Sequence, residues 1–156
     1  MKADNLNEVL AQIRANAETR PDFPAIVGNN GKDVYTYKEL MQLVDDIAYK
    51  LKSLGVGPGV IVPIRSGRVV EHYAARLASI LVGCITLSLD LIIPEERAQG
   101  IIKTIGCKTV IDDSFFPVEH APVKMEYPAL PENIPGFIIF TSGSTGTPKG
   151  VLHPRA

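Results

Sequence analysis

The chain has 156 residues, about one domain by length. With 46% apolar and 21% charged residues and a mean hydropathy of +0.12, it is not a disordered, collagen-like or coiled-coil chain. Sixteen Lys and Arg against seventeen Asp and Glu give a net charge of -1, so there is no basic excess for general nucleic-acid binding, and any phosphate contact must come from a local site.

The first 22 residues carry Lys2, Asp4, Glu8, Arg14, Glu18, Arg20 and Asp22, which leaves no apolar core for a secretory leader and predicts a cytoplasmic chain. Leu6, Val9, Leu10, Ile13 and Ala17 recur at helical spacing and predict a helix ended by Arg20-Pro21-Asp22. Ala25–Val27 and Val34–Thr36 flank Gly28-Asn29-Asn30-Gly31 and predict a hairpin. Thr36 and Glu39 have the spacing of a capping box for a second helix. Its expected apolar face is Leu40, Leu43, Val44, Ile47, Leu51 and Leu54, and Gly55-Val56-Gly57-Pro58-Gly59 stops it.

Val60–Val62 is expected to form a strand ending near Pro63, because proline cannot donate to a ladder. Val69, Val70, Tyr73, Ala74, Leu77, Ile80 and Leu81 predict a third helix. Ile85–Leu89 reads as a strand. Pro94 suits the first turn of a fourth helix with Ala98, Ile101, Ile102 and Ile105 on its apolar face. Lys108–Ile111 reads as another strand. The uncharged stretch between Arg76 and Asp90 is too short to span a bilayer and reads as a buried helix end and strand. Strands alternating with helices of this length predict an α/β fold: a partial doubly wound, mainly parallel sheet with flanking helices. Residues 1–116 carry this alternation. Residues 117–135 form a connector containing Pro117, Pro122, Pro128, Pro131 and Pro135. Residues 136–156 hold a last buried strand, Phe137–Phe140, and the loop that follows it.

That loop is Thr141-Ser142-Gly143-Ser144-Thr145-Gly146-Thr147-Pro148-Lys149-Gly150. Its glycines let backbone N–H groups approach an anion, its hydroxyls add neutral donors, Lys149 adds one mobile cation, and no carboxylate repels the ligand. The C-terminal end of a strand is where α/β sheets take ligands. A Walker A loop would end in Gly-Lys-Ser/Thr, and here the residues are Pro148-Lys149-Gly150, with Pro154 too close for a following helix. The alternative, a flexible Ser/Gly/Thr linker, fits poorly between a buried strand and a second apolar segment.

The segment TSGSTGTPKGV, residues 141–151, strongly resembles the phosphate-binding signature of adenylate-forming enzymes. That family includes nonribosomal-peptide adenylation domains, acyl-CoA synthetases and luciferases. Tyr35-Thr36-Tyr37-Lys38-Glu39-Leu40, Leu54–Gly59, Leu81–Cys84 through Leu87–Asp90, and Pro94 with Glu95 and Arg97 resemble further elements of the family, so the likeness covers roughly residues 5–153.

The resemblance implies that a carboxylate attacks the α-phosphate of ATP, with Mg, to give an acyl-adenylate and pyrophosphate. The acyl group then passes to CoA or a phosphopantetheine thiol. It implies that Thr141, Ser142, Gly143, Ser144, Thr145, Gly146, Thr147, Lys149 and Gly150 hold the β- and γ-phosphates, with Lys149 stabilising the departing charge. The family's adenine, ribose and acid-binding elements have no counterpart in these residues, and Arg155 stands where the family commonly has histidine. The chain therefore reads as an N-terminal portion, expected to be inactive alone and prone to self-association at an unpaired strand edge. A free-standing nucleotide-binding module and a non-functional truncated product are the alternatives. The "LSLD" and "PEER" stretches lean slightly toward amino-acid activation.

Other reactive residues read as structural. Cys84 and Cys107 sit in apolar segments and pack in the core. His72 is expected on a polar helix side and His120 in the connector. His153, just past the loop, is the histidine that could approach a phosphate. No His, Cys and carboxylate cluster has metal-ligand spacing, and Asp112-Asp113 reads as a strand-terminating turn.

Overall fold

The computed structural model describes residues 6–28, 31–126, 135–141 and 149–154. Helix α1 (Leu6–Thr19) leads into an antiparallel hairpin of β1 (Pro24–Gly28) and β2 (Asp33–Thr36). Then come α2 (Tyr37–Ser53), β3 (Ile61–Arg65), α3 (Val69–Val82), β4 (Ile85–Ser88), α4 (Glu95–Ile105), β5 (Ile111–Asp112), β6 (Pro135–Thr141) and β7 (Lys149–Pro154). The main sheet has strand order β5-β3-β4-β6-β7. Its first four strands run parallel, and β7 returns antiparallel to β6. This is the α/β, mostly parallel sheet with flanking helices that the alternation predicts.

Two apolar layers enclose the sheet. On one face α1, α2 and α3 bury Leu10, Val44, Ile47, Leu51, Ala74 and Leu81 against Val62, Ile64 and Ile111. On the other, Ala98 and Ile102 of α4 cover Ile85, Leu87 and Ile138. The capping box forms as expected: Thr36 Oγ1 accepts from the Glu39 N–H, and a Glu39 carboxylate oxygen accepts from the Thr36 N–H at 2.9 Å. These bonds hold the Glu39 carboxyl below its usual range, so its stabilisation is present above the ordinary carboxylate pKa and is lost as pH falls through the lowered one. Thr36→Ala is expected to cost about 1 kcal/mol, read as a lower urea midpoint with an unchanged slope.

Several expectations need correction. Pro63 does not end β3; it lies buried in the middle of it. The Val60 and Ile64 carbonyls accept from Ile85 and Leu89 on the β4 side, so Pro63 faces β5 by alternation. Pairing with β5 begins only at Ile64 opposite Ile111. The bond that would extend this ladder backwards needs an N–H that Pro63 lacks. The same proline thus confines the expected Lys108–Ile111 strand to Ile111–Asp112.

In α3 most of the expected face is inside, with Leu77 and Ile80 partly buried against the core, but the face is shifted toward small residues. Val70, Ala74, Ala75, Ala78, Ser79, Leu81 and Val82 are inside, while Val69 and Tyr73 are exposed. Small side chains let α3 approach α2 and the sheet closely, so they outcompete the larger apolar ones for the interface. Leu54 caps α2 from outside the buried face and is exposed. Pro94 is the N-cap of α4, one residue before its first turn. Only part of β6 is buried: Ile138 lies under α4, whereas Ile139 on the opposite face is 46% exposed.

The described part of the proline-rich connector is irregular but firmly tied to the polar side of α2. Asp46 accepts from the Ala121 N–H and from Gln42, both at 2.8 Å, and meets His120 Nδ1 at 2.9 Å. Arg14 bridges the Asp45 carboxylate at 2.7 Å and the Met125 carbonyl at 2.6 Å. Burial pushes the Asp45 carboxyl up, and Arg14 opposes the shift. Lys50 Nζ donates to the Phe115 carbonyl at 2.5 Å and lies 4.0 Å from the centre of its ring. Residues 127–134 of the connector lie outside the described residues.

Candidate functional site

Parallel β3, β4, β5 and β6 all end at one edge of the sheet, and the candidate loop leaves from that edge. Cross-strand register pairs Phe137 with His153, Ile139 with Val151, and Thr141 with Lys149. Directly paired residues have Cα atoms about 4.5–5.5 Å apart. The chain therefore departs at Thr141 and returns at Lys149 at one point on the carboxyl edge. Of the predicted site residues, Thr141, Lys149 and Gly150 have a described backbone in this hairpin. Ser142, Gly143, Ser144, Thr145, Gly146 and Thr147 lie outside the described residues.

The strand β7 was not anticipated. Its signal is the apolar pair Val151-Leu152 after Gly150, too short to register as a strand by itself. It pairs with β6 and becomes the edge strand of the sheet on that side among the described residues. It also carries His153 away from the loop. His153 stacks on Phe137 at 4.8 Å between ring centres, at the end of the hairpin remote from Thr141 and Lys149.

The neighbouring strand exits at the same edge are tied to each other. Arg65, the last residue of β3, donates to the Asp90 carbonyl at 2.5 Å, to the Ile93 carbonyl at 2.8 Å and to the Glu95 carboxylate at 3.2 Å. Ser66 Oγ and the Gly67 N–H both donate to the Asp113 carboxylate, at 2.5 Å and 3.2 Å. These bonds, led by Ser66, hold the Asp113 carboxyl below its ordinary range. Asp112 caps the following single turn of 3-10 helix by accepting from the Ser114 N–H at 2.9 Å. The two aspartates are therefore engaged in the turn. Sequence reading missed Arg65 and Ser66; the available signal was a charged residue closing an apolar strand.

His72 is half-buried in α3, not on an open polar side. It lines a cleft of about 530 Å³ with Ser66, Tyr73, Arg76 and Asp90. Burial, aided by Arg76, lowers the pKa of its imidazole. Cys84 is buried, with Sγ 3.7 Å from the Ser79 carbonyl, and burial raises the Cys107 thiol. A second cleft of about 670 Å³ is lined, among the described residues, by Tyr35, Gln42, Asp46, Arg68, Phe116 and His120. Among the described residues no helix is long and apolar enough to cross a membrane.

A family model for the AMP-binding enzyme matches residues 13–156. The chain belongs to that family. It is 32% identical over 149 residues to the probable non-canonical nonribosomal peptide synthetase CymA of Salinispora arenicola, covering 96% of this chain and 2% of that protein. Its fold is similar to the N-terminal subdomain of Klebsiella oxytoca NpsA, solved in complex with 3-hydroxyanthranilyl-AMSN. That match has a TM-score of 0.74 at 27% identity and covers 92% of this chain and 39% of that one. It is also similar to the nonribosomal peptide synthetase FmoA3 in its AMPPNP-bound form, with a TM-score of 0.76 at 25% identity over 97% of this chain and 17% of that one. This member of the AMP-binding family thus spans well under half of each of these relatives. The fold is shared with the NpsA subdomain and with FmoA3 over nearly the whole of this chain.

Proposed function

We propose that these residues are the N-terminal part of an ATP-dependent carboxylate-activating enzyme, and that the loop from Thr141 to Gly150 holds the β- and γ-phosphates. The observation that carries this reading is the register of Thr141 with Lys149. It gathers a segment rich in glycine and hydroxyls, and its one lysine, at the carboxyl edge of a parallel sheet. AMPPNP bound to the related FmoA3 supports ATP as the nucleotide. Mg, which the triphosphate would bring, fits a loop without carboxylates because its charge can be met by phosphate oxygens. An amino acid is the favoured substrate class, in keeping with the synthetases to which the chain is similar. A CoA or phosphopantetheine thiol would be the acyl acceptor.

In this reading the loop does not form or break a bond. Its N–H groups and hydroxyls position the triphosphate in line for attack by the carboxylate, and Lys149 meets the charge that grows on the leaving pyrophosphate. The 156-residue chain supplies this part and, in our reading, not the adenine, ribose or acid contacts. Positioning can account for about 7–11 kcal/mol of a barrier. The chain alone is therefore expected to show no acid-dependent exchange of pyrophosphate into ATP above a no-protein control.

The test is the same exchange assay on the full-length polypeptide against a panel of amino and carboxylic acids. Exchange with at least one acid is expected. Exchange with none, or exchange indifferent to the added acid, would overturn the reading.

A further inference from the structure

Strands β3 and β4 are parallel neighbours, but the chain leaves them toward opposite faces of the sheet. After β3 it crosses to α3, on the face that buries Ala74 and Leu81. After β4 it crosses to α4, on the face that buries Ala98 and Ile102. Two connections that diverge in this way open a crevice beyond the carboxyl ends of their strands, and α/β sheets bind ligands in such crevices. The cleft of about 530 Å³ lies there. Its lining includes Ser66 and Gly67, which follow β3, and Ser88 and Asp90 at the end of β4. Small-molecule sites measure about 300–1,000 Å³, so the size fits.

The lining carries one charge of each sign. Arg76 of α3 supplies a guanidinium, and Asp90 supplies a carboxylate. Among the described residues neither is in an ion pair, with the other or with a third group. Asp90 is held by its own turn, its Oδ1 accepting from the Ile92 N–H at 2.9 Å, while Arg65 takes the Asp90 carbonyl. Both charges therefore remain open to a ligand. His72 adds an acceptor. Its imidazole bonds the Ser66 carbonyl through one N–H, and burial with Arg76 nearby favours the neutral ring, whose other nitrogen accepts. Apolar side chains complete the lining. Val69, Tyr73 and Leu91 are 62%, 52% and 55% exposed, and covering them removes apolar surface from water.

We infer that this cleft binds a free α-amino acid with an apolar side chain. Arg76 takes its carboxylate, Asp90 and His72 take its ammonium, and Val69, Tyr73 and Leu91 cover its side chain. A simple carboxylate would leave Asp90 unpaired, and a simple amine would leave Arg76 unpaired, so both charges of the ligand are needed. The inference concerns occupancy of the cleft and does not rest on the reading of the loop.

The test is hydrogen exchange with mass spectrometry on the full-length polypeptide, with L-leucine and L-phenylalanine as probes. A Kd of about 1 mM is expected for a small ligand in an open cleft. At about 10 mM, peptides covering 66–76 and 88–92 are expected to exchange up to about tenfold more slowly, the factor 1 + [L]/Kd. The same concentrations of 4-methylpentanoate, which lacks the ammonium, and of isoamylamine, which lacks the carboxylate, are expected to leave both peptides at the unliganded rate. Arg76→Gln and Asp90→Asn are each expected to weaken the protection by about tenfold, the loss of one charge-assisted contact. Asp90→Asn keeps an oxygen for the Ile92 N–H, so the turn survives if Arg76→Gln disturbs the helix.

No protection of these peptides by either amino acid overturns the inference. So does equal protection by the carboxylate or by the amine alone, or protection that survives both substitutions. Pyrophosphate exchange separates this site from the one proposed for the reaction. Arg76→Gln is expected to leave the turnover number within about twofold, as surface substitutions usually do, while protection at 66–76 is lost. A turnover number that falls together with that protection would make the cleft part of the reaction site and overturn its reading as a separate one. Absence of acid-dependent exchange in wild type removes the functional reading, and the two peptides still decide the cleft.

Discussion

Lys149→Ala is expected to lower the turnover number for acid-dependent pyrophosphate exchange by about 10²–10³-fold, with little change in the KM for the acid. That is the usual cost of removing one donor aimed at charge that develops in the transition state, about 2.7–4 kcal/mol. The position supports the role. Lys149 is the first residue of β7 and is paired with Thr141, so the loop begins and ends beside it. An interaction that grows between ground state and transition state shows in turnover rather than in binding. A raised KM for the acid with unchanged turnover would assign Lys149 to acid binding and remove it from the phosphates. Unchanged urea unfolding of the variant would exclude a folding defect as the cause.

Leu87→Ala is expected to cost about 2–5 kcal/mol in urea unfolding, the range for emptying a leucine-sized space in a packed core. Leu87 is fully buried in β4, with Pro63 of β3 on one side and Ile138 of β6 on the other. It packs with Ile85, Leu89, Ala98 and Ile102, which α4 holds over this face. Strands pinned on both sides cannot collapse into the vacated volume. The loss would be a large share of the about 5–15 kcal/mol that stabilises a typical domain. Ile139→Ala, on the half-exposed face of the next strand, is the comparison and is expected to cost less than about 1 kcal/mol. Equal costs at the two positions would show that the β6 face opposite α4 is covered in solution.

The amino-acid order by itself determined the alternation of helices and strands, the β1–β2 hairpin, the Thr36–Glu39 capping box and the glycine-rich segment after the Phe137–Phe140 strand. These are local properties: spacing of apolar residues, a cap three residues from its partner, a run of glycines and hydroxyls without a carboxylate. The family was legible for the same reason, because its signature is contiguous from Thr141 to Val151.

Tertiary structure decided what depends on partners distant in the chain. Pro63 sits mid-strand because the neighbour on its donor-less side starts one residue later, a fact of pairing that no local rule contains. The Ala74, Ala75 and Ala78 face of α3 is buried because close helix packing favours small residues, whereas periodicity counted Val69 and Tyr73 as well. Asp45 and Asp46 look like solvent-facing charges until Arg14, Ala121 and His120 arrive to bond them. The candidate site divides in the same way. Its chemistry is written in residues 141–150, but the meeting of Thr141 and Lys149 exists only once β6 and β7 pair, as the grip of Arg65 on the turn after β4 exists only once β3 and β4 share an edge. Spacing along a chain specifies which groups are present; only the sheet's register specifies which of them meet.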